Sequence, residues 1–222
     1  MYWHGTLSWP AYVTRFTRLT VTSHQSVWWL DAKIHREGDR PAIVRDDGGR
    51  EWRRYGQLHR DHDRPAKIYP NSGCEWKRQG AYHREHDRPA IIRLMLKIWQ
   101  QKGAYHRDND RPAYVSESDG GVIWYQHGRQ HRDGDKPAAI LGNNDRFWFM
   151  HGRMFRDGDR PSIVYSHGGR SWEHYGLGTL TRATNSSYHR DDGPAEILSS
   201  GECRWYRDGE LQHRCDKHGN RT

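Results

Sequence analysis

Short apolar runs separated by polar turns recur along this chain with a beat that is not helical. One kind of run opens with Pro-Ala and continues into β-branched residues, as in PAIV (41–44), PAII (89–92) and PAYV (112–115). Such runs read as short extended strands, with Pro at the start where its missing N–H does little harm. Turn residues follow: DDGG (46–49), NSG (71–73), SDGG (118–121), NND (143–145) or HGG (167–169). The second kind of run carries tryptophan, as in REWRRY (50–55), VIWYQ (122–126) and RFWFM (146–150). A glycine at 56, 80, 103, 128 or 152 then turns the chain again. Nothing sustains a helical period, so the pattern predicts an all-β protein with one β-hairpin per unit.

The units are internal repeats. HREGDRPA (35–42) returns as HRDHDRPA (59–66), HREHDRPA (83–90), HRDNDRPA (106–113) and HRDGDKPA (131–138), then decays to FRDGDRPS (155–162), HRDDGPA (189–195) and HRCD (213–216). Trp28, Trp52, Trp76, Trp99, Trp124 and Trp148 each stand seven residues ahead of a motif. Trp172 stands seventeen ahead of His189, which places ten extra residues in that connection, around LGTLTRATNS (177–186). Trp3, Pro10, Ala11 and Val13 echo the motif at the N-terminus. The chain therefore reads as one repeat domain over 1–222, with about eight repeats of ~24 residues. It divides into a degenerate unit or cap (1–27), regular units (28–213) and a C-terminal cap (214–222). A hairpin of this size cannot bury its own Trp, so stacked neighbours must supply the core. At ~4.8 Å per strand, about sixteen strands would make an elongated antiparallel sheet roughly 75 Å long.

Composition sharpens this picture. Hydrophobic residues are only 33% of the chain, and 4 Phe stand against 11 Trp and 12 Tyr, so Trp must do much of the packing. No run approaches the ~20 apolar residues of a membrane span, so no transmembrane segment is expected. The opening MYWHGTLSWP lacks the basic head and apolar stretch of a secretory signal. Cys74, Cys203 and Cys215 are odd in number and lack CxxC spacing. Neither a disulfide framework nor a zinc finger is expected, and an intracellular, reducing setting fits.

The unit W-Y-x-x-G-x-x-H-R-x-x-D-x-P-A-x-[IV] resembles MORN-type β-hairpin repeats, and most closely the divergent HR-D-P-A-bearing variants of large DNA viruses of amoebae. The resemblance runs from about Trp28 to His213. Its HR-x-x-D-x-P-A segment departs from the common MORN pattern, which usually has Gly near that point. The resemblance implies an elongated sheet used for assembly, dimerisation and sometimes membrane tethering. It supplies no catalytic residue and no cofactor.

The repeated polar residues invite chemistry. Same-register histidines of successive units would stand roughly 10 Å apart, too far to share a zinc ion whose nitrogen ligands lie at ~2.0–2.1 Å. Phe155 occupies one of these positions, which suggests an aromatic ring packed at a turn. Seven motif copies hold fourteen acids and thirteen bases, so Arg and Asp are expected to pair within or between units. An active site needs one perturbed environment rather than seven equal ones, so no enzyme is expected.

The formal charge of +8 arises outside the motifs. Six of the nine surplus charges lie between Arg45 and Lys102, which makes Arg50, Arg53, Arg54, Lys67, Lys77, Arg78, Arg93 and Lys97 a candidate nucleic-acid or polyanion surface. The same charges could simply solvate a soluble face. In IIRLMLKIW (91–99), Leu94, Met95 and Leu96 replace the usual polar turn and form a candidate self-association tip. Two functions from different classes follow: a non-enzymatic viral scaffold that binds protein partners and itself as a homodimer, or a basic nucleic-acid-binding or packaging protein. No small-molecule substrate is expected.

Overall fold

The computed structural model describes residues 17–22, 24–174, 187–207 and 209–221. Trp3, Pro10, Ala11, Val13 and the insertion at 177–186 lie outside them. The described residues are all-β and antiparallel, without helix, so none of them forms a helix long and apolar enough to cross a membrane.

Pairing follows the chain. Thr17–Val21 pairs with Gln25–Leu30, which pairs with Ile43–Arg45, which pairs with Arg50–Glu51, which pairs with Lys67–Tyr69. The meander continues to Cys203–Arg207 against Glu210–Cys215, making an 18-stranded sheet among the described residues. Its tightest step is at Gly73, where a Cβ would lie 1.9 Å from the Ile92 carbonyl oxygen of the next hairpin.

The expectation of one hairpin per unit is corrected here, because there are two. Beyond each Trp the chain leaves the main sheet and forms a second, two-stranded hairpin. Arg53–Arg54 pairs with Gln57–Leu58, Lys77–Arg78 with Ala81–Tyr82, and Gln100–Gln101 with Ala104–Tyr105. The Trp backbone is the pivot. Trp76 donates its N–H to the Ala90 carbonyl of the next strand at 2.8 Å, while its own carbonyl accepts from His83 N–H at 3.1 Å. One peptide unit thus belongs to each sheet.

The turns of these second hairpins place two residues at positive φ, such as Gln79 (51°) and Gly80 (80°). This is the left-handed pair that a two-residue hairpin of the right twist requires. Glycine holds the second position from Gly56 onward, where Ala32 stands in the first described unit, and its N–H ties the turn to the preceding unit, as from Gly80 to the Leu58 carbonyl at 2.9 Å.

Packing rests on Trp and Ala together. Trp52, Trp76, Trp99, Trp124, Trp148 and Trp172 are buried, and Ala42, Ala66, Ala90, Ala113, Ala138 and Ala195 are wholly inaccessible. One cross-strand row of the main sheet adds to this core through the buried Val27, Ile43, Ile91, Ile98, Ala139 and Ile163, with Ile123 and Phe147 half-buried on the same row.

The cysteine reading also needs correction. Cys203 and Cys215 are register partners on the last two strands, 5.1 Å apart at Cα, and form a disulfide. Only Cys74 remains free. Parity counts cysteines without knowing which strands pair, and here adjacent strands bring two of three together.

Ala90 tests the packing. Ala90→Leu should overfill the space and lower stability by about 1–3 kcal/mol in urea unfolding. An unchanged midpoint would mean that the alanine positions are not tightly packed.

Candidate functional site

The motif side chains converge between units. The Arg84 guanidinium rests on the Trp76 ring of its own unit, 3.7 Å from the centroid, and donates to the Pro89 carbonyl at 3.2 Å. Two further nitrogens, Nε and Nη2, reach back to both oxygens of Asp63, in the preceding motif, at 2.7 and 3.1 Å. Arg88 also donates to Asp63. The same fork joins Arg60 to Asp39, Arg107 to Asp87, Arg132 to Asp110, Arg156 to Asp135 and Arg190 to Asp159. The last rung forms although its partners are 31 residues apart, across the insertion. Bidentate, charge-assisted pairs of this kind are the strong members of their class, and the stacked Trp adds a cation–π contact.

Histidine makes a second tie. His59, His83, His106 and His131 accept, at Nδ1, the backbone N–H of the following unit's turn residue at 3.1–3.2 Å. Their Nε2 faces an acid two residues on, as His59 faces Asp61 at 3.0 Å. Acceptor at one nitrogen and donor at the other defines the neutral tautomer. An aromatic ring packed at a turn is therefore only part of the role. The hydrogen bond was missed because Phe155, at the equivalent position, cannot make it, and its replacement pointed toward packing alone.

The indole N–H follows the loop's backbone. Trp76, Trp99, Trp124 and Trp172 donate to the carbonyls of Asp63, Asp87, Asp110 and Asp159 at 3.0–3.1 Å. Those four aspartates have positive φ, whereas Asp39 and Asp135 do not. The indoles facing the latter, Trp52 and Trp148, are buried without a partner.

The candidate basic surface proves to be mostly braced. Glu51 and Glu75 occupy the core row on either side of Lys67, at 2% and 3% exposure. Arg45, Arg53 and Lys67 surround Glu51 at 2.8, 2.7 and 3.3 Å. Lys77 and Arg93 flank Glu75 at 3.8 and 2.5 Å, and the Tyr69 hydroxyl donates to it at 2.8 Å. Arg54 pairs with Asp61, Arg78 with Glu85 and Lys97 with Glu117. Among the eight candidates only Arg50 makes no ion pair with a described residue. Five cations around two carboxylates still leave this part of the sheet positive. Counting charges could not show that Glu51 and Glu75 are buried braces.

The proposed tip is narrower than expected. Leu94 and Met95 form the turn and are 75% and 45% exposed, while Leu96 lies within Leu96–Ile98 and pairs with Ser116. Clefts of about 450 and 380 Å³ open between successive motif loops, beside Arg36–Arg60 and Arg107–Arg132. Among the described residues no group of three or more His, Cys, Asp or Glu is arranged to hold a metal ion.

No protein-family model, curated protein or solved structure matches the chain.

Acid should undo the rungs. Hydrogen bonds from Arg60 and Arg132 lower the Asp39 and Asp110 carboxyls from 3.8 to about 2. Burial pushes Glu51 up, but Arg45 and Arg53, helped by the charge of Lys67, outweigh it and hold it at about 2. Carboxyls depressed in the folded state stabilise it fully above their unfolded values and lose that effect as pH falls through the folded ones. The melting temperature should therefore drop between about pH 4 and about pH 2. Asp110→Asn should flatten that drop and lower the plateau above it. An identical acid profile in the variant would show that the rung carries no linkage.

Proposed function

We propose that this chain is a non-enzymatic scaffold that presents a stiff β surface to protein partners, itself included. The observation that supports this reading is the use of the motif's reactive groups. Asp oxygens, Arg forks and His Nδ1 atoms are engaged in ties between units. Identical ties make a strip with graded, neighbour-to-neighbour stability. The resemblance to viral repeat variants supports a viral setting for such a scaffold.

The outer row of the main sheet gives partners something to meet. Val44, Ile68, Ile92, Val115, Val122, Ile140, Val164 and Ile197 are half-exposed along successive strands. Arg50, Lys97, Arg146 and Arg170 interrupt them. The Leu94–Met95 turn adds an apolar projection at one hairpin tip. Sedimentation across the micromolar range should show self-association, and Leu94→Asp with Met95→Asp should shift it toward monomer at unchanged melting temperature. A wild type that stays monomeric throughout contradicts the self-association arm.

A second reading is favoured by the surplus of cations around Glu51 and Glu75. On this reading the sheet binds nucleic acid through phosphates, with steep salt dependence and little sequence preference. Arg53 and Lys77 brace buried carboxylates, so the informative reversals are the exposed Arg50, Arg54 and Arg78 to Glu. Loss of oligonucleotide binding with folding intact would establish this reading. Absence of binding at low salt would remove it.

A further inference from the structure

Among the described residues, the ladder of rungs begins with an arginine that grips no carboxylate. Arg36 repeats the pose of its counterparts at two points. It donates to the Pro41 carbonyl at 3.2 Å, and its guanidinium lies 3.7 Å from the Trp28 centroid. In every later unit an arginine held this way also grips the carboxylate of the preceding motif. Arg36 has no such ion pair with a described residue, and the sequence contains no Asp or Glu before Asp31.

The second base of the rung is equally prepared. Arg160 donates from Nε to the Asp157 carbonyl at 2.8 Å and from Nη1 to Asp135 at 2.5 Å. Arg40 makes the first of these contacts, to the Glu37 carbonyl at 3.3 Å, without the second. Arg36 and Arg40 stand close enough that, after burial, the charge of Arg40 is what lowers the Arg36 pKa. Two neighbouring guanidinium groups, one of them held rigidly on Trp28, face a place where six other units hold a carboxylate.

We propose that Arg36 and Arg40 form an open carboxylate site, which takes an Asp or Glu side chain from a partner protein. The occupant is a carboxylate because the same fork, on the same Trp and Pro supports, binds a planar carboxylate in every completed rung. A preorganised fork also loses little side-chain freedom on binding. The last motif does not fill this place by edge-to-edge stacking of two copies. Asp192 would stand five strands from Arg36 in such a pair, about 24 Å away, instead of the two strands that separate a rung's partners. The proposal deepens the scaffold reading by giving partner chemistry, and it rests on that reading only for the source of the carboxylate.

The test follows arginine Nε–H resonances of the full ¹⁵N-labelled chain during titration with acetyl-Gly-Asp-Gly-amide. The Arg36 signal, assigned by its loss in Arg36→Lys, should shift saturably, while that of Arg84 stays in place. Arg40→Gln, an exposed change, should weaken binding about tenfold at unchanged melting temperature. The Asn peptide should produce no shift. An unmoved Arg36 signal, an equal response to the Asn peptide, or equal affinity in Arg40→Gln would overturn the site. Tighter binding of inorganic phosphate than of the Asp peptide would also overturn it, by making it a phosphate site. Each result is independent of the sedimentation behaviour that tests the scaffold reading.

Discussion

An aspartate in one motif and the arginine that grips it are 20 to 31 residues apart in sequence, yet each rung has nearly the same geometry. The reason is that the arginine is placed before it pairs. Its guanidinium lies flat on the Trp of its own unit and is hydrogen-bonded to the Pro carbonyl that ends its own loop, so only one direction remains for Nε and Nη2. The carboxylate arriving there comes from the neighbouring unit. Trp is thus both the core of a unit and the platform for its tie to the next. The residue that accepts the Trp N–H in the next strand is small and buried in each of these units, Ala in six and Ser162 in one.

Much of this was legible. The period, the Trp seven residues before each motif and the closing Gly predict an antiparallel repeat sheet, and Arg–Asp pairing follows from near-neutral motifs. The second hairpin was not legible. Trp76 changes partners within one residue, giving its N–H to the next unit and its carbonyl to His83. A hydrophobic pattern records which side chains are buried and says nothing about which strand a peptide group bonds. The same blindness hid the Cys203–Cys215 pair, which depends on the register of the last two strands.

The charged stretch shows a different limit. Glu51 and Glu75 stand in a row whose other positions are mostly apolar, such as Ile43, Ile91 and Ile98, and they flank Lys67. Buried carboxylates are tolerable only when paired and hydrogen-bonded, and Arg45, Arg53, Arg93, Lys77 and Tyr69 meet that need. Residues that looked like a free basic face therefore divide into braces and a smaller exposed set. Sequence alone offered one clue: of the four acids among ten bases in this stretch, Glu51 and Glu75 stand directly before Trp52 and Trp76.

The claim on which the rest depends is that motif Arg and Asp are energetic ties between units. A double-mutant cycle on Arg84 and Asp63, using Arg84→Gln, Asp63→Asn and both together, measures this directly by urea unfolding. A coupling of about 1–3 kcal/mol is expected for a bidentate pair with the arginine mostly covered. Additive single-mutant effects, with coupling near zero, would contradict the claim and leave the Trp–Ala packing as what joins the units.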